Sequence, residues 1–163
     1  MMSGSQIQNY LPSVNLLRYE DLLHYDKIPL GKDGLVILYP VSSNNSGHWV
    51  CLFLKNNILH FFDSYGCALG DRPDYEQKFM SKNYIKNGYT PKMAHYLTCL
   101  LDKSPYPVSY NKYDYQSLKS NVETCGYWCV ARLKLQNLSS DQFHDLFKPP
   151  NSDMLVIQYI NSL

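Results

Sequence analysis

Residues 123–129 read Glu-Thr-Cys-Gly-Tyr-Trp-Cys, and an apolar helical pattern continues from them as far as Leu133. A cysteine at the start of a helix lies at the positive end of the helix dipole, which favours the nucleophilic thiolate. The next residue, Gly126, has no side chain, so another backbone can approach the sulfur closely. The alternative is an ordinary core cysteine, because cysteine is among the residue types most often buried. The stretch therefore predicts a central helix over about 125–136, with Cys125 as a candidate nucleophile.

The composition indicates one globular domain covering residues 1–163. The chain has a net charge of +1, with 45% hydrophobic and 18% charged residues, which is typical of a folded domain with one sizeable core. This charge gives no support to nucleic acid or a membrane surface as the main partner. No apolar run approaches the roughly 20 residues that span a bilayer. Residues 1–5 lack the apolar region of a signal peptide, so we expect the interior of a cell.

The cysteines predict free thiols in a reducing compartment. Their number is odd and no Cys-x-x-Cys pair occurs, which argues against a disulfide framework and against a zinc site. Cys125 and Cys129 are four residues apart on one helix face, but a single pair is weak evidence for metal. We therefore expect no metal and no cofactor. The five cysteines are Cys51, Cys67, Cys99, Cys125 and Cys129.

Three apolar runs predict consecutive β-strands over residues 35–39, 48–54 and 58–62. Residues 55–57 read Lys-Asn-Asn, and asparagine tolerates the left-handed conformation that a tight hairpin requires. The other expectations are a loose lead-in (1–13), a helix (14–25), loops (26–34 and 111–123), an irregular stretch (67–92) with one helical turn (75–80), a helix (93–101), a short strand (108–110), a helix (138–147) capped by Ser139 or Ser140, and a last helix capped by Ser152.

The predicted hairpin brings two chemically useful side chains together. His48 begins one strand and Asp63 ends the next, so an antiparallel turn at 55–57 places both at the same end of the sheet. An imidazole beside a carboxylate is the arrangement that orients a catalytic base. Each residue alone is more often an ordinary strand-edge histidine or turn-capping aspartate, but their joint placement favours a site.

Gln116 and Cys125 complete a candidate constellation with this pair. A thiolate needs an imidazole partner, and the oxyanion formed on attack needs hydrogen-bond donors. The Gln116 amide and the backbone N–H of Cys125 can supply those donors, and Asn121 competes with Gln116 for this role. Cys129 is the competing nucleophile, but it lies one turn into the helix, where we expect it to be buried. The order of the residues along the chain is the reverse of that in papain-like enzymes.

Four motifs in this order resemble the adenain-like cysteine peptidases. These include the adenovirus endopeptidase, the SUMO and ubiquitin-like-protein proteases, and peptidases of large DNA viruses, virophages and Polinton-type elements. The resemblance spans residues 35–136. It rests on residues 47–49 (Gly-His-Trp), 61–66 (Phe-Phe-Asp-Ser-Tyr-Gly), 115–117 (Tyr-Gln-Ser) and 124–127 (Thr-Cys-Gly-Tyr).

The resemblance implies an α+β fold, in which a small mixed sheet packs against a central helix that begins at the nucleophile Cys125, and a location in the virion or the interior of a host cell. It also implies that His48 and Asp63 complete the triad and that Gln116 holds the oxyanion. Gly126 would contact substrate, and Trp49 would line a narrow channel for glycines, although packing on the sheet explains a tryptophan equally well.

The short chain is more similar to the viral branch, which implies a monomeric cysteine endopeptidase that cleaves capsid precursors after small residues such as Gly. The first alternative is removal of a SUMO-type ubiquitin-like modifier, and the second is an inert binding module. A nucleic-acid or peptide activator finds no support in the charge. Pairing of Cys67 or Cys99 with such an activator stays open.

Overall fold

The computed structural model describes residues 1–40, 47–66, 95–117 and 122–163. These residues form five strands, five α-helices and a 3-10 helix. In chain order they are α1 (Gly4–Tyr10), β1 (Val14–Arg18), the 3-10 helix (Tyr19–His24), β2 (Gly34–Pro40), β3 (Gly47–Lys55), β4 (Ile58–Phe62), α2 (Tyr96–Lys103), β5 (Val108–Tyr110), α3 (Cys125–Lys134), α4 (Ser140–Leu146) and α5 (Ser152–Asn161).

The strands form one mixed sheet in the order β1-β2-β3-β4-β5. The three central strands are antiparallel, and the edge strands β1 and β5 run parallel to their neighbours. Side chains of β2 alternate between two cores. Val36 and Leu38 face one core, while Leu35, Ile37 and Tyr39 face the other, and all five are buried. A strand buried on both faces accounts for the continuous apolar run in the sequence. The mixed sheet together with the helices confirms the predicted α+β class.

The hairpin between β3 and β4 is confirmed, with the expected turn chemistry. Asn56 and Asn57 have φ angles of 52° and 59°, the left-handed values that a tight hairpin needs at both central residues. Lys55 pairs with Ile58 on either side of the turn. The turn fixes the register, so the start of β3 and the end of β4 meet at the opposite end of the sheet.

The central helix α3 packs on one face of the sheet with α1, α4 and α5 around it, while the 3-10 helix and α2 cover the other face. Trp128 of α3 is fully buried. Arg132, also buried, lies over the rings of Phe53 (4.7 Å) and Phe143 (5.0 Å). It donates to the carbonyl of Leu135, one of the carbonyls that a helix end leaves without an internal partner. These contacts fix α3 against the sheet.

Two expectations for the N-terminal region are wrong. The predicted helix over 14–25 is instead β1 followed by the 3-10 helix. The apolar residues of so short a run fit either period, and parallel pairing of Val14–Arg18 with Gly34–Leu38 decides for the strand. The predicted loose lead-in contains α1. Its N-terminus has a capping box between Ser3 and Gln6, which is a sequence signal for a helix start.

The later helices agree with prediction except in detail. Helix α3 ends at Lys134, two residues earlier than expected, and α2 covers Tyr96–Lys103. Ser139 caps α4 as predicted. Ser152 does not cap α5, because its hydroxyl donates to the carbonyl of Phe147.

Some expectations lie outside the described residues. These are the helical turn at 75–80 and the rest of the stretch 67–92, the start of the helix at 93–94, Asn121 and Cys67. Within the described residues, no helix has the length and apolar character needed to cross a membrane.

Candidate active site

The imidazole of His48 and the carboxylate of Asp63 form a buried pair at one end of the sheet. His48 is the second residue of β3, and Asp63 directly follows β4. The distance from His48 Nε2 to Asp63 Oδ1 is 2.7 Å, and the side chains are only 7% and 2% exposed. The geometry predicted from the hairpin is therefore present, and the bond to Nε2 leaves Nδ1 for a second partner.

Asn111 and Tyr65 hold Asp63 in place. The backbone N–H of Asp63 donates to Asn111 Oδ1 (2.9 Å), and Asn111 Nδ2 donates to the Asp63 carbonyl (2.7 Å). The backbone N–H of Tyr65 donates to Asp63 Oδ1 at 2.9 Å. Hydrogen bonds on both the backbone and the carboxylate orient the acceptor that faces His48.

The pair has a strongly shifted protonation equilibrium. Burial by itself lowers the pKa of His48, but the charge of Asp63, its hydrogen bond and the neighbouring Cys125 outweigh burial and raise that pKa from 6.5 to about 10. The imidazole is therefore an imidazolium at neutral pH. A positive charge beside a cysteine sulfur favours the thiolate.

Cys125 is the first residue of α3 and is 3% exposed. Its side chain hydrogen-bonds with His48, and Nδ1 is the imidazole nitrogen that Asp63 leaves for this contact. Thr124, at the N-cap position, does not cap the helix with its side chain. The backbone N–H groups of the first turn, which have no partner inside the helix, therefore receive no cap from Thr124, and the positive end of the helix beside the sulfur favours an anion.

Cys129 lies one turn further along α3 and is fully buried, as expected. Burial, followed by the hydrogen bond with Cys51, raises the pKa of the Cys129 thiol well above its ordinary value. A thiol in this state is a poor nucleophile. The electrostatics of the two cysteines thus favour Cys125 over Cys129.

Gln116 is buried between the Asp63 turn and the segment that leads into α3. Its Oε1 accepts from Ser64 Oγ at 2.7 Å. Its Nε2 donates to the Val122 carbonyl at 3.0 Å and, over a longer 3.4 Å, to the Tyr65 hydroxyl. The Val122 carbonyl can only accept, so its contact fixes which end of the amide carries the hydrogens. The long contact to Tyr65 leaves one N–H weakly bound, so an incoming oxyanion can compete for it.

Sequence reasoning missed the roles of Tyr65 and Asn111. Tyr65 enters the sequence argument only as part of a motif, yet its ring stacks on His48 with 4.6 Å between ring centroids. Burial, and then the charges of Cys125 and Asp63, raise the pKa of Tyr65, so its hydroxyl stays a hydrogen-bond donor at neutral pH. The aromatic residue directly after the Asp63 turn is the available signal for Tyr65. Asn111 has none, because it is 48 residues from Asp63.

Trp49 and Gly126 lie side by side, with Met2 against them. The Trp49 indole is buried and donates to the Met2 carbonyl at 3.0 Å. A Cβ placed on Gly126 would lie 2.7 Å from Met2 Cβ and 3.4 Å from Trp49 Cδ1. The expected approach of another backbone at Gly126 is wrong, because the close contacts there are made by the side chains of Met2 and Trp49. Packing of Trp49 is observed, while its contact with substrate stays a prediction.

Chemically, the site combines a nucleophile, a charged acid and two sets of donors. These are Cys125, the His48–Asp63 pair, the first N–H groups of α3 and the Gln116 amide. Among residues 1–40, 47–66, 95–117 and 122–163, no group of three or more His, Cys, Asp or Glu side chains is arranged to hold a metal ion. The arrangement suits nucleophilic attack on a carbonyl carbon.

Comparison with known proteins finds a virophage relative of the chain. It is 37% identical over 133 residues to a Sputnik virophage protein named uncharacterized protein V9, across 78% of this chain and 71% of the virophage protein. The chain belongs to the V9 family. No protein-family model and no solved structure matches it. The V9 name states no activity, so the chemistry of the site rests on its geometry.

Proposed function

We propose that this V9-family protein is an adenain-like cysteine endopeptidase that cleaves virion precursor proteins after small residues such as Gly. The observation that carries the proposal is the buried His48–Asp63 pair, 2.7 Å apart, next to Cys125 at the first residue of α3. A nucleophile, a base within reach of it and an orienting carboxylate are the parts that triad catalysis needs.

In the first half of the reaction the Cys125 thiolate attacks the scissile carbonyl carbon. A C–S bond forms and the carbonyl electrons move to the oxygen. The imidazolium of His48 then gives its proton to the leaving amine as the C–N bond breaks, which leaves a thioester on Cys125. Asp63 keeps the ring oriented and stabilises its charged form.

In the second half His48 takes a proton from water, and the resulting hydroxide attacks the thioester. The C–S bond breaks, and the acid product leaves with the Cys125 thiolate restored. In both halves the oxyanion is held by the Cys125 N–H and the Gln116 amide. The Tyr65 hydroxyl, 3.4 Å from Gln116 Nε2, stands beside them as a neutral donor.

Two features support the substrate class. The virophage relative favours a role in virus particles, for which limited proteolysis of precursors is a natural task. Trp49 and Met2 crowd the α3 start at Gly126. A narrow approach to the sulfur favours residues with little or no side chain before the scissile bond.

The test is limiting iodoacetamide labelling at about pH 6 with peptide mapping, together with hydrolysis of fluorogenic peptides that carry Gly-Gly before the scissile bond. An unperturbed thiol is almost fully protonated at this pH and reacts slowly, whereas an activated thiolate reacts fast. We expect selective labelling of Cys125, its loss in His48→Ala, and hydrolysis that Cys125→Ala abolishes.

Slow, even labelling of all five cysteines would refute the proposal. Hydrolysis that survives Cys125→Ala but not Cys129→Ala would move the nucleophile. A requirement for a whole folded ubiquitin-like protein in place of short Gly-Gly peptides would replace virion maturation by removal of a modifier.

A further inference from the structure

The carboxylate of Asp153 accepts three hydrogen bonds from three different parts of the chain. Its Oδ2 accepts from the backbone N–H of Ser117 at 2.9 Å. Its Oδ1 accepts from the Thr124 hydroxyl at 2.5 Å and from the Trp128 indole at 2.9 Å. Asp153 lies in the first turn of α5, far along the chain from all three donors.

Two of these donors adjoin the residues that would hold the oxyanion. Ser117 directly follows Gln116, and Thr124 directly precedes Cys125. The distance between the Gln116 amide and the Cys125 N–H therefore depends on where Ser117 and Thr124 are held. One carboxylate holds both, and a charged acceptor makes shorter and stronger hydrogen bonds than a neutral one.

The Thr124 bond has a second consequence. A threonine before a helix usually accepts from the first-turn N–H groups with its hydroxyl oxygen, but Thr124 makes no such bond. Its hydroxyl points to Asp153 instead. The first-turn N–H groups of α3 therefore have no side-chain cap from Thr124, and the oxyanion donor at Cys125 does not compete with one.

The Trp128 bond ties the same carboxylate to the body of α3. Trp128 is fully buried in the core between α3, α4 and the sheet, so its indole is a fixed reference point. Asp153 thus holds Ser117 and Thr124 in fixed positions relative to α3, the helix that begins at Cys125.

We propose that Asp153 is a positioning residue that sets the geometry of the oxyanion site through Ser117 and Thr124. This inference rests on the proposed peptidase function. In this role Asp153 does not contact substrate. It also has no part in the protonation of His48, which Asp63 controls.

The role can be separated from general support of the fold because two reactions of Cys125 need different groups. Hydrolysis of a peptide passes through an oxyanion and needs its donors. Alkylation by iodoacetamide displaces iodide from a saturated carbon, forms no oxyanion and needs only the thiolate. A residue that positions the donors therefore affects hydrolysis and leaves alkylation unchanged.

The experiment compares wild type, Asp153→Ala and the control Asp145→Ala. Asp145 is an exposed carboxylate in α4 that pairs with Lys148, just after the end of that helix. For Asp153→Ala we expect kcat on the Gly-Gly peptide to fall about 100-fold, the scale of a misplaced catalytic group, with KM nearly unchanged. The rate of Cys125 alkylation and its pH profile should match wild type, and Asp145→Ala should match wild type in both assays.

A second pair of variants approaches the same bond from the other side. Thr124→Val keeps the shape but loses the hydroxyl, while Thr124→Ser keeps the hydroxyl. We expect a lower kcat for Thr124→Val and recovery for Thr124→Ser, and this pair decides the question if Asp153→Ala does not fold.

Wild-type kcat in Asp153→Ala, or equal losses of hydrolysis and alkylation in a folded variant, would overturn the positioning role while the peptidase proposal stands. Wild type that neither hydrolyses the peptide nor shows His48-dependent alkylation would overturn the peptidase proposal itself, and this inference with it.

Discussion

Replacing Asp63 by asparagine should remove the positive charge from His48 at neutral pH. Asparagine has the same shape and keeps an oxygen for the Tyr65 N–H. The bonds to Asn111 involve the Asp63 backbone and survive the change. What is lost is the negative charge 2.7 Å from the imidazole. Burial, the largest single influence and one that lowers the pKa, then acts on His48 with no carboxylate to oppose it.

The expected size follows from the shift itself. Raising the pKa of His48 from 6.5 to about 10 corresponds to on the order of 5 kcal/mol in favour of the imidazolium. In Asp63→Asn we expect the pKa of His48 to fall below 6.5. His48 then changes from an acid that holds its proton at pH 7 to a neutral imidazole, and the positive charge beside Cys125 is lost.

Stability should change with pH in opposite directions in the two proteins. In wild type the stabilisation from charged His48 is fully present below pH 6.5, its ordinary pKa, and is lost as the pH rises towards about 10. Across that window the free energy of unfolding should fall by about 1.4 kcal/mol per pH unit from this group. In Asp63→Asn the unfolded chain binds the proton more tightly, so stability should rise with pH up to about 6.5.

The first assay is NMR titration of the histidine ring resonances, in which the signals that disappear in His48→Gln are assigned to His48. The second assay is urea unfolding at several pH values. Asp145→Asn, at an exposed carboxylate, is the matched control and should leave the His48 titration unchanged. A wild-type His48 that titrates near 6.5, or an unchanged titration in Asp63→Asn, would refute the assignment of the shift to Asp63.

Three further predictions concern the nucleophile and its surroundings. Gln116→Ala should lower kcat on Gly-Gly peptides by about 10²–10³-fold without changing the rate of Cys125 alkylation, and steady-state kinetics beside labelling checks both. Cys129→Ala should keep full hydrolytic activity, because Cys129 is buried with a raised pKa, whereas Cys125→Ala should have none; activity that follows Cys129 would contradict this. Gly126→Ala should destabilise the fold by about 1–3 kcal/mol in urea unfolding, because its Cβ would lie 2.7 Å from Met2 Cβ. The cost should shrink in a Met2→Gly background, and an equal cost in both backgrounds would exclude this contact as the cause.

Local signals explain the parts of the fold that the sequence predicts. The hairpin of β3 and β4 follows from two apolar runs and the asparagines between them, so the sequence alone predicts that His48 and Asp63 meet. The position of Cys125 follows in the same way from the helical pattern after it. In each case, neighbours within a short stretch determine the geometry.

The missed parts depend on partners distant in sequence or on weak local preference. The apolar residues of β1 fit a helical period as well as a strand, and only pairing with β2 decides for the strand. Helix α1 is seven residues long, and the capping box at its start is the local sequence signal for it. The hydrogen bonds that Asn111 makes to Asp63 span 48 residues, and those of Asp153 reach back 25 to 36 residues. No periodicity in a single sequence encodes such bonds, although they set the local geometry of the site.

The site therefore consists of two parts with different anchors, joined by the hydrogen bonds between Gln116 and the side chains of Ser64 and Tyr65. The His48–Asp63 part belongs to the sheet and is fixed by Asn111, beside β5. The Gln116–Cys125 part belongs to the segments around α3 and is fixed by Asp153 from α5. The first part controls which groups carry charge, and the second controls where an oxyanion meets its donors. Asp63→Asn should therefore alter both the alkylation of Cys125 and acyl transfer, whereas Asp153→Ala should alter acyl transfer and leave alkylation unchanged. Such a difference between the two variants would support the proposed peptidase, because polar residues buried together by chance would not produce it.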